Sequence, residues 1–415
     1  MKIIRDSYIH SRTGPATYNI IIRRLEAADF RGGYMKLLHT SDWHLGMTFR
    51  GGMSYREDQR YVIDGLCRIA AAENIDGILL AGDVFDKSIA SREAIQEYDE
   101  IMTHICTTLD IPVYMIAGNH DGAERISQCN ELLKKSGLYI AGSLGRKPQV
   151  VRLGDTDIYL LPWVSTDKVK AVYPEWAEDI LSLEDAYKVV LDDYRRGFVP
   201  GHKNILVSHS YIVNAETSVS DKAAVIGQAA MVSSDVFEGF DYVALGHLHG
   251  PQQISQHIRY SGSPMAYSFG REEKQEKSVT IIDTDTMGQK VVLLPQLRRR
   301  TTLRGTFDEL MKADYDEDVL NGYVRLEVTD SYVGLDSMTA FRERYKNLLE
   351  VSGRSFDRED AKITMTVEEL ESADNDPVSV FTRYCMDILE QEPDGHMIEL
   401  FNKAVTDYAK GVSAE

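Results

Sequence analysis

Cysteine is scarce in this sequence. Four thiols among 415 residues (Cys67, Cys106, Cys129 and Cys385) show no CxxC pair and no regular spacing. A disulfide framework and a thiolate zinc site are therefore not indicated, and reduced thiols in a cytoplasmic protein are expected. Long apolar runs are missing too, and none approaches the ~20 residues that a spanning helix needs. Near the N-terminus the longest is Ile20-Ile21-Ile22, too short for the apolar core of a secretory signal. There is no GxxxxGK[ST] sequence to cradle a nucleotide, no internal repeat and no low-complexity tract.

Charge is lopsided in sign and in placement. The formal net charge is −19, which by itself disfavours wide contact with a phosphate backbone. Residues 301–415 carry 12 Lys+Arg against 26 Asp+Glu, and the residues before them 34 against 39. The acidity gathers in the C-terminal third, so net charge neither supports nor excludes a nucleic-acid substrate. A hydrophobic content of 43% and a charged content of 27% fit a globular chain, and its length predicts more than one unit.

From Met35 to about residue 295 short apolar runs alternate with helical spacing. Strands are predicted at Lys36–Thr40, Asp76–Ala81, Pro112–Ala117, Val150–Leu153, Asp157–Leu161, Ile205–Ser208 and Asp241–Leu245. Helices are predicted over Arg92–Leu109 and Glu124–Lys135, and around Val62, Leu66 and Ile69. This grammar predicts an α/β layered β-sandwich core. The composition shifts at residues 296–302 (QLRRRTT). A small α+β module follows, with a helix at Ser337–Leu349 and strands at Tyr323–Thr329 and Lys362–Thr366, then two amphipathic helices, Val378–Leu389 and His396–Ala409. The expected divisions are 1–34, 35–296, 297–372 and 373–415. Met35 directly precedes the first strand, so residues 1–34 are either an upstream start or a genuine appendage.

Five short motifs each close a predicted strand: Asp42-Trp43-His44, Gly82-Asp83, Gly118-Asn119-His120-Asp121, Ser208-His209 and Gly246-His247-Leu248-His249. Loops after strand C-termini are where α/β folds gather their sites. Asp-x-His and His-x-His put two ligands on one side of an extended segment. Carboxylate, amide and imidazole donors without thiolate favour manganese or iron over structural zinc. Seven ligands (Asp42, His44, Asp83, Asn119, His209, His247 and His249) exceed the need of one octahedral ion. Two ions bridged by Asp83 account for them, and such a pair polarises a phosphodiester and acidifies water. Any motif alone reads as turn chemistry or a surface histidine. The order of all five, holding five of the 11 histidines, favours the site.

This ordered set resembles the calcineurin-like metallophosphoesterase superfamily. The surrounding HTSDWHLG (39–46), AGDVFD (81–86), DYVALGHLHGPQ (241–252) and RYSGSPMAYSF (259–269) are similar to its bacterial DNA-nuclease branch, strongly from Met35 to about Asp285 and more loosely beyond. The resemblance implies that Asp42, His44, Asp83 and His249 hold one metal, and that Asp83, Asn119, His209 and His247 hold a second, manganese being the expected ion. It gives His120 a general-acid role at the leaving oxygen and has Asp121 orient His120. Archaeal and eukaryotic relatives carry a second catalytic histidine where this chain has Asp86, which reads as a phosphate-side residue or as a helix N-terminal one.

The resemblance also implies partners. These are DNA, a coiled-coil ATPase docked on the tail through Val378, Phe381, Tyr384, Cys385 and Ile388, and a second copy met through Ile95, Tyr98, Met102 and Ile105, making a heterotetramer. Residues 297–372 would be a capping domain, with Arg298, Arg299, Arg300 and Arg304 at its entrance, where they could meet phosphates or simply be a solvated linker. The expected activity is a duplex-end 3′–5′ exonuclease and a single-strand or hairpin endonuclease, serving DNA repair, recombination and replication. Two rivals remain: a phosphoesterase for small phosphoesters or cyclic nucleotides, and a catalytically silent scaffold.

Overall fold

The apolar run after Asp76 becomes β2 (Gly77–Ala81), buried at every position, as a strand covered on both faces must be. It neighbours β1 (Lys36–Thr40) and β3 (Val113–Ile116), both parallel to it, and β4 (Leu138–Ala141) extends the row. This is a computed structural model. It describes residues 35–49, 53–221, 231–330, 335–353 and 395–409, with a few isolated positions between 357 and 393. The N-terminal 34 residues and the tail positions Tyr384, Cys385 and Ile388 lie outside the described residues. The chain divides into two units. The first comprises Met1–Leu45, Val62–Pro264 and Glu276–Pro295, and the second Gly46–Tyr61, Met265–Gln275 and Gln296–Glu415.

The first unit is a two-sheet sandwich. The other strands of the two large sheets are β5 (Gln149–Leu153), β6 (Thr156–Leu161), β7 (Lys203–His209), β8 (Tyr242–Gly246), β9 (Gln252–Ser255), β10 (Ile258–Tyr260), β11 (Ser278–Asp283) and β12 (Gln289–Leu293). One sheet runs β12-β11-β1-β2-β3-β4 and the other β9-β10-β8-β7-β6-β5. Leu37, Leu79 and Ile116 from the first pack with Ile158, Leu160, Val207 and Ala244 from the second. Polar contacts also cross this layer: His39 reaches the Tyr242 hydroxyl (3.0 Å) and the Leu245 carbonyl (3.1 Å). The helix Leu183–Arg195, capped by reciprocal Ser182–Asp185 bonds, joins the core on the second sheet's other face. That pairing satisfies two backbone donors the helix end would leave orphaned.

Two predicted helices are cut short. Glu124–Lys135 becomes the turns Ala123–Ile126 and Asn130–Leu133, because Cys129 takes a left-handed backbone (φ 57°) between them. Ser337–Leu349 becomes the helix Leu335–Arg344 and then the strand Asn347–Gly353. Leu348 and Val351 enter the second unit's core, and that burial overrides the helical preference of Leu-Leu-Glu.

The second unit holds a four-stranded sheet, Arg300–Gly305, Tyr323–Val328, Asn347–Gly353 and Met365–Thr366 in that spatial order. The helices Phe307–Lys312 and Leu335–Arg344 pack on it through Leu310 and Phe341, against Val324 and Leu326. The arginine run at its start is not uniformly exposed. Arg298 pairs with Glu57 and Asp58, each at 2.5 Å. Arg300 is buried, its guanidinium 5.0–5.3 Å from the rings of Tyr55, Phe269 and Tyr323. Only Arg299 and Arg304 of the four are exposed.

Candidate metal centre

All five motifs lie at the C-terminal ends of the parallel strands β1, β2, β3, β7 and β8, so the two sheets deliver their loops to one edge of the sandwich. The loops interlock through their backbones. Asp42 N–H donates to Gly82 O (3.0 Å) and His44 N–H to Asp83 O (3.0 Å). Two motif glycines follow from this crowding. A Cβ on Gly118 would stand 2.1 Å from Asp83 Oδ1, and one on Gly246 would stand 1.9 Å from Ala81 O. Four of the predicted ligands adopt positive φ: Asp42 (54°), His44 (46°), Asp83 (50°) and His247 (104°). Such conformations cost about 1–3 kcal/mol each and persist where surrounding structure imposes them.

The seven predicted ligand side chains converge. Asn119 Oδ1 lies 3.0 Å from His209 Nε2 and 3.0 Å from His247 Nδ1. Asp83 Oδ2 lies 3.4 Å from His209 Nε2 and 3.8 Å from His44 Nε2. His44 Nε2 and His249 Nε2 face each other at 3.1 Å. Three ligand atoms fall within 4.8 Å of one another in each of three sets: Asp42, His44 and His249; Asp42, Asp83 and His209; His44, Asp86 and His120. Asp83 thus sits between two halves of the cluster. Its Oδ2 is the oxygen that faces both, because Oδ1 accepts the backbone N–H of His120 (2.9 Å).

The donor set fits divalent cations. His209 donates Nδ1–H to the carbonyl of Ala81 (2.8 Å), which leaves Nε2 with the lone pair a metal requires. That nitrogen faces the carboxylate oxygen of Asp83 and the amide oxygen of Asn119, which hold a proton on it in the metal-free chain that a metal would displace. Asp42 accepts the backbone N–H of His247 on both oxygens (3.0 and 3.2 Å), tying the first motif to the fifth.

The electrostatics agree with that reading. Burial pushes Asp42 up to about 6, with His209 opposing and Asp83 adding to the rise. Burial, then His209, presses His247 down to about 3, and burial holds His44 well below the ordinary imidazole value. Burial also acts on Asp83 and His209. Their mutual attraction outweighs it, holding Asp83 below the usual carboxylate range and His209 up at about 9. Two buried carboxylates against one protonated imidazole, His209, with His44 and His247 held neutral, leave net negative charge that a dication would offset.

The remaining predicted residues surround this cluster. His120 is half-buried and donates Nδ1–H to the Asp86 carbonyl (2.8 Å), so Nε2 is the atom left to exchange a proton. Asp86 Oδ1 lies 3.9 Å from His44 Nδ1, and burial raises its pKa. Asp121 accepts the backbone N–H groups of Gly118 (2.9 Å), Phe85 (2.9 Å) and Val84 (3.2 Å). Its carboxylate clasps the second loop to the third, whereas the ring of His120 is oriented by the Asp86 carbonyl. Among the residues outside the motifs that attach here, Asp221 accepts the His249 N–H (3.0 Å), and buried Lys277 donates to the His249 carbonyl (2.8 Å). Neither is marked by spacing or strand-end position, so sequence reasoning had no signal for either.

Comparison with known proteins agrees with the geometry. Residues 35–251 match the model of the calcineurin-like phosphoesterase family. A protein from Staphylococcus epidermidis, named as the D subunit of the nuclease SbcCD, is 31% identical over 78% of this chain and 86% of its own length. One of the same name from Staphylococcus saprophyticus is 30% identical over the same shares. Among solved structures, TT1561 of Thermus thermophilus aligns with 62% of this chain and 98% of that one, at 12% identity and a TM-score of 0.37. The chain belongs to the calcineurin-like phosphoesterase family, in company with those two SbcCD nuclease subunits.

Proposed function

We propose that the chain is the two-metal-dependent DNA nuclease subunit of an SbcCD-type complex. The convergence of seven ligand side chains from five loops, with His120 beside them, carries the reading. Asp42, His44, Asp83 and His249 would hold one ion and Asp83, Asn119, His209 and His247 the other, with manganese as the expected metal. Divalent ions bound there would supply Lewis acidity to a phosphodiester and lower the pKa of water at neutral pH. The protein's own part is positional. Asp121 fixes two loops against each other, and the Asp86 carbonyl fixes the His120 ring. His120 Nε2 is thereby set to steady or protonate the leaving oxygen, as general-acid catalysis requires.

The likeness to the two staphylococcal nuclease subunits supports the finer reading. It comprises 3′–5′ exonuclease action on duplex ends, endonuclease action on single strands and hairpins, and a cytoplasmic role in DNA repair. Residues 35–296 would be the nuclease domain and 297–372 a capping domain, with Arg299 and Arg304 the arginines free to reach phosphate. Residues 373–415 would dock an SbcC-type ATPase, and Phe381, stacked on Phe401 with ring centroids 4.3 Å apart, suits an apolar docking face. A second copy would meet the chain near Ile95, which is 53% exposed, since Met102 and Ile105 are buried in the first unit.

The test supplies manganese with end-labelled duplex, single-stranded circles and a small chromogenic diester. Cleavage of both DNAs is expected. Hydrolysis of the diester with neither DNA touched would overturn the nuclease reading in favour of a small-phosphoester enzyme.

A further inference from the structure

We infer that Ser218, Ser220 and Asp221 form a hydrogen-bond relay that fixes the tautomer of His249 and readies its Nε2 for a metal. The inference rests on the reading of His249 as a ligand. Ser220 Oγ lies 2.8 Å from His249 Nδ1, and Ser218 Oγ lies 2.9 Å from Ser220 Oγ. The Ser218 hydroxyl then donates to Asp221 Oδ2 over 2.8 Å. Both Ser218 and Asp221 are buried.

The direction of the relay follows from its far end. Asp221 Oδ2 accepts the hydroxyl of Ser218 and its backbone N–H (2.6 Å), while Oδ1 accepts the backbone N–H of His249 (3.0 Å). Ser218 has one hydroxyl proton and gives it to Asp221, so towards Ser220 its oxygen can only accept. Ser220 then gives its own proton to Ser218, and towards His249 it too can only accept. Nδ1 must therefore carry the hydrogen, and in the neutral ring the lone pair falls on Nε2, the nitrogen that faces His44 Nε2 at 3.1 Å. Asp221 Oδ1, 3.6 Å from Nδ1, favours hydrogen at the same atom. His209 and His120 are held in the same tautomer by the carbonyls of Ala81 and Asp86. At His249 the work falls to side chains, which substitution can reverse.

Asp221→Asn is the reversing change. Its amide N–H would donate to Ser218, Ser218 to Ser220 and Ser220 to Nδ1, which moves the ring proton to Nε2 and blocks coordination. Manganese affinity, read by calorimetry and by the EPR signal of a coupled pair, should fall about 10–100-fold. Ser220→Ala only cuts the relay and should cost less. The double variant Ser220→Ala/Asp221→Asn should recover to the level of Ser220→Ala. A merely structural role for Asp221 predicts no recovery, because the strain between the new amide and the Ser218 N–H persists in the double variant.

Equal weakening in Asp221→Asn and the double variant, or none in either, would overturn the relay. A readout that needs no folded variant is the ¹⁵N spectrum of histidine-labelled, metal-free wild type under mildly alkaline conditions. Hydrogen on Nδ1 of His249 is expected, and hydrogen on Nε2 overturns the inference. Failure of the nuclease reading is separable. A chain that shows this manganese pattern yet cuts no DNA loses the nuclease and keeps the relay. One that binds two manganese ions without the pattern loses the relay alone.

Discussion

The two units treat buried charge in opposite ways. In the second, Asp58 is buried but accepts from Arg298 (2.5 Å) and the Tyr323 hydroxyl (2.8 Å). Buried Arg300 donates to the Ala266 carbonyl and the Tyr55 hydroxyl. In the first, Asp42 and Asp83 are buried together, and each charge counts against the other. Backbone strain divides the same way, for every non-glycine residue with positive φ among the described residues belongs to the first unit. Buried charge is resolved locally in the second unit, whereas in the first Asp42 and Asp83 gather at the same loops, and with them four of its nine positive-φ non-glycine residues among the described residues. Such concentration marks where structure serves binding and chemistry over stability.

The largest expected effect tests whether the concentrated charge does chemistry. His120→Gln removes the ring nitrogen proposed to exchange a proton while leaving the seven proposed ligands in place. Turnover should drop by about 10²–10⁴-fold with manganese stoichiometry unchanged, as single-turnover cleavage and elemental analysis of the same preparation would show. An unaltered rate would remove His120 from the reaction.

The contrast between the units is broken most directly by one substitution made twice. Asp58→Asn should destabilise the chain by about 2 kcal/mol, the loss expected for a buried hydrogen bond to a charged partner. Asp42→Asn should stabilise the metal-free chain by about 1 kcal/mol, since it removes a charge that burial disfavours, while manganese uptake is lost. Denaturant unfolding in chelator decides the matter, and two shifts of the same sign would refute the contrast.

His39 offers a smaller effect between the sheets. Burial drives its pKa down to about 3, helped by Arg259 and opposed by the bond to Leu245. The folded chain therefore refuses a proton that the unfolded chain accepts below about 6.5. Stability from this group is intact above that pH and falls as the pH drops towards 3, by about 1.4 kcal/mol per unit. His39→Gln should flatten the acid limb of a stability–pH profile by that slope and leave neutral pH little changed.

Legibility in the sequence differs between these regions. The convergence of the seven candidate side chains with His120 was legible, because each stands at the end of a strand and strands announce themselves by runs such as Gly77–Ala81. The strained backbone at Asp83 was not, since a left-handed aspartate writes nothing into its neighbours. Asp221 was hidden for another reason: it meets His249, a proposed ligand, 28 residues away, with no periodicity linking them. The arginine run misled through its composition alone. Whether Arg298 or Arg304 faces solvent depends on partners such as Asp58, 240 residues distant from Arg298.

The smallest effect sharpens the difference between strain that is used and strain that is incidental. Cys129 shares its left-handed backbone (φ 57°) with Asp83 (φ 50°) but is exposed and lies outside the metal centre. Its carbonyl caps the turn at Asn130–Leu133 by accepting from Leu132 and Leu133, which a glycine can do as well. A left-handed non-glycine residue costs about 1–2 kcal/mol, and glycine's added unfolded-state entropy returns roughly half of any gain. Cys129→Gly should therefore raise stability by about 0.5 kcal/mol in denaturant unfolding, with manganese affinity untouched. At Asp83 no such relief exists, because the same backbone aims the carboxylate that faces both halves of the cluster. If Cys129→Gly weakened manganese binding, strain outside the centre would be coupled to the ligands, and the separation drawn between the two kinds would fail.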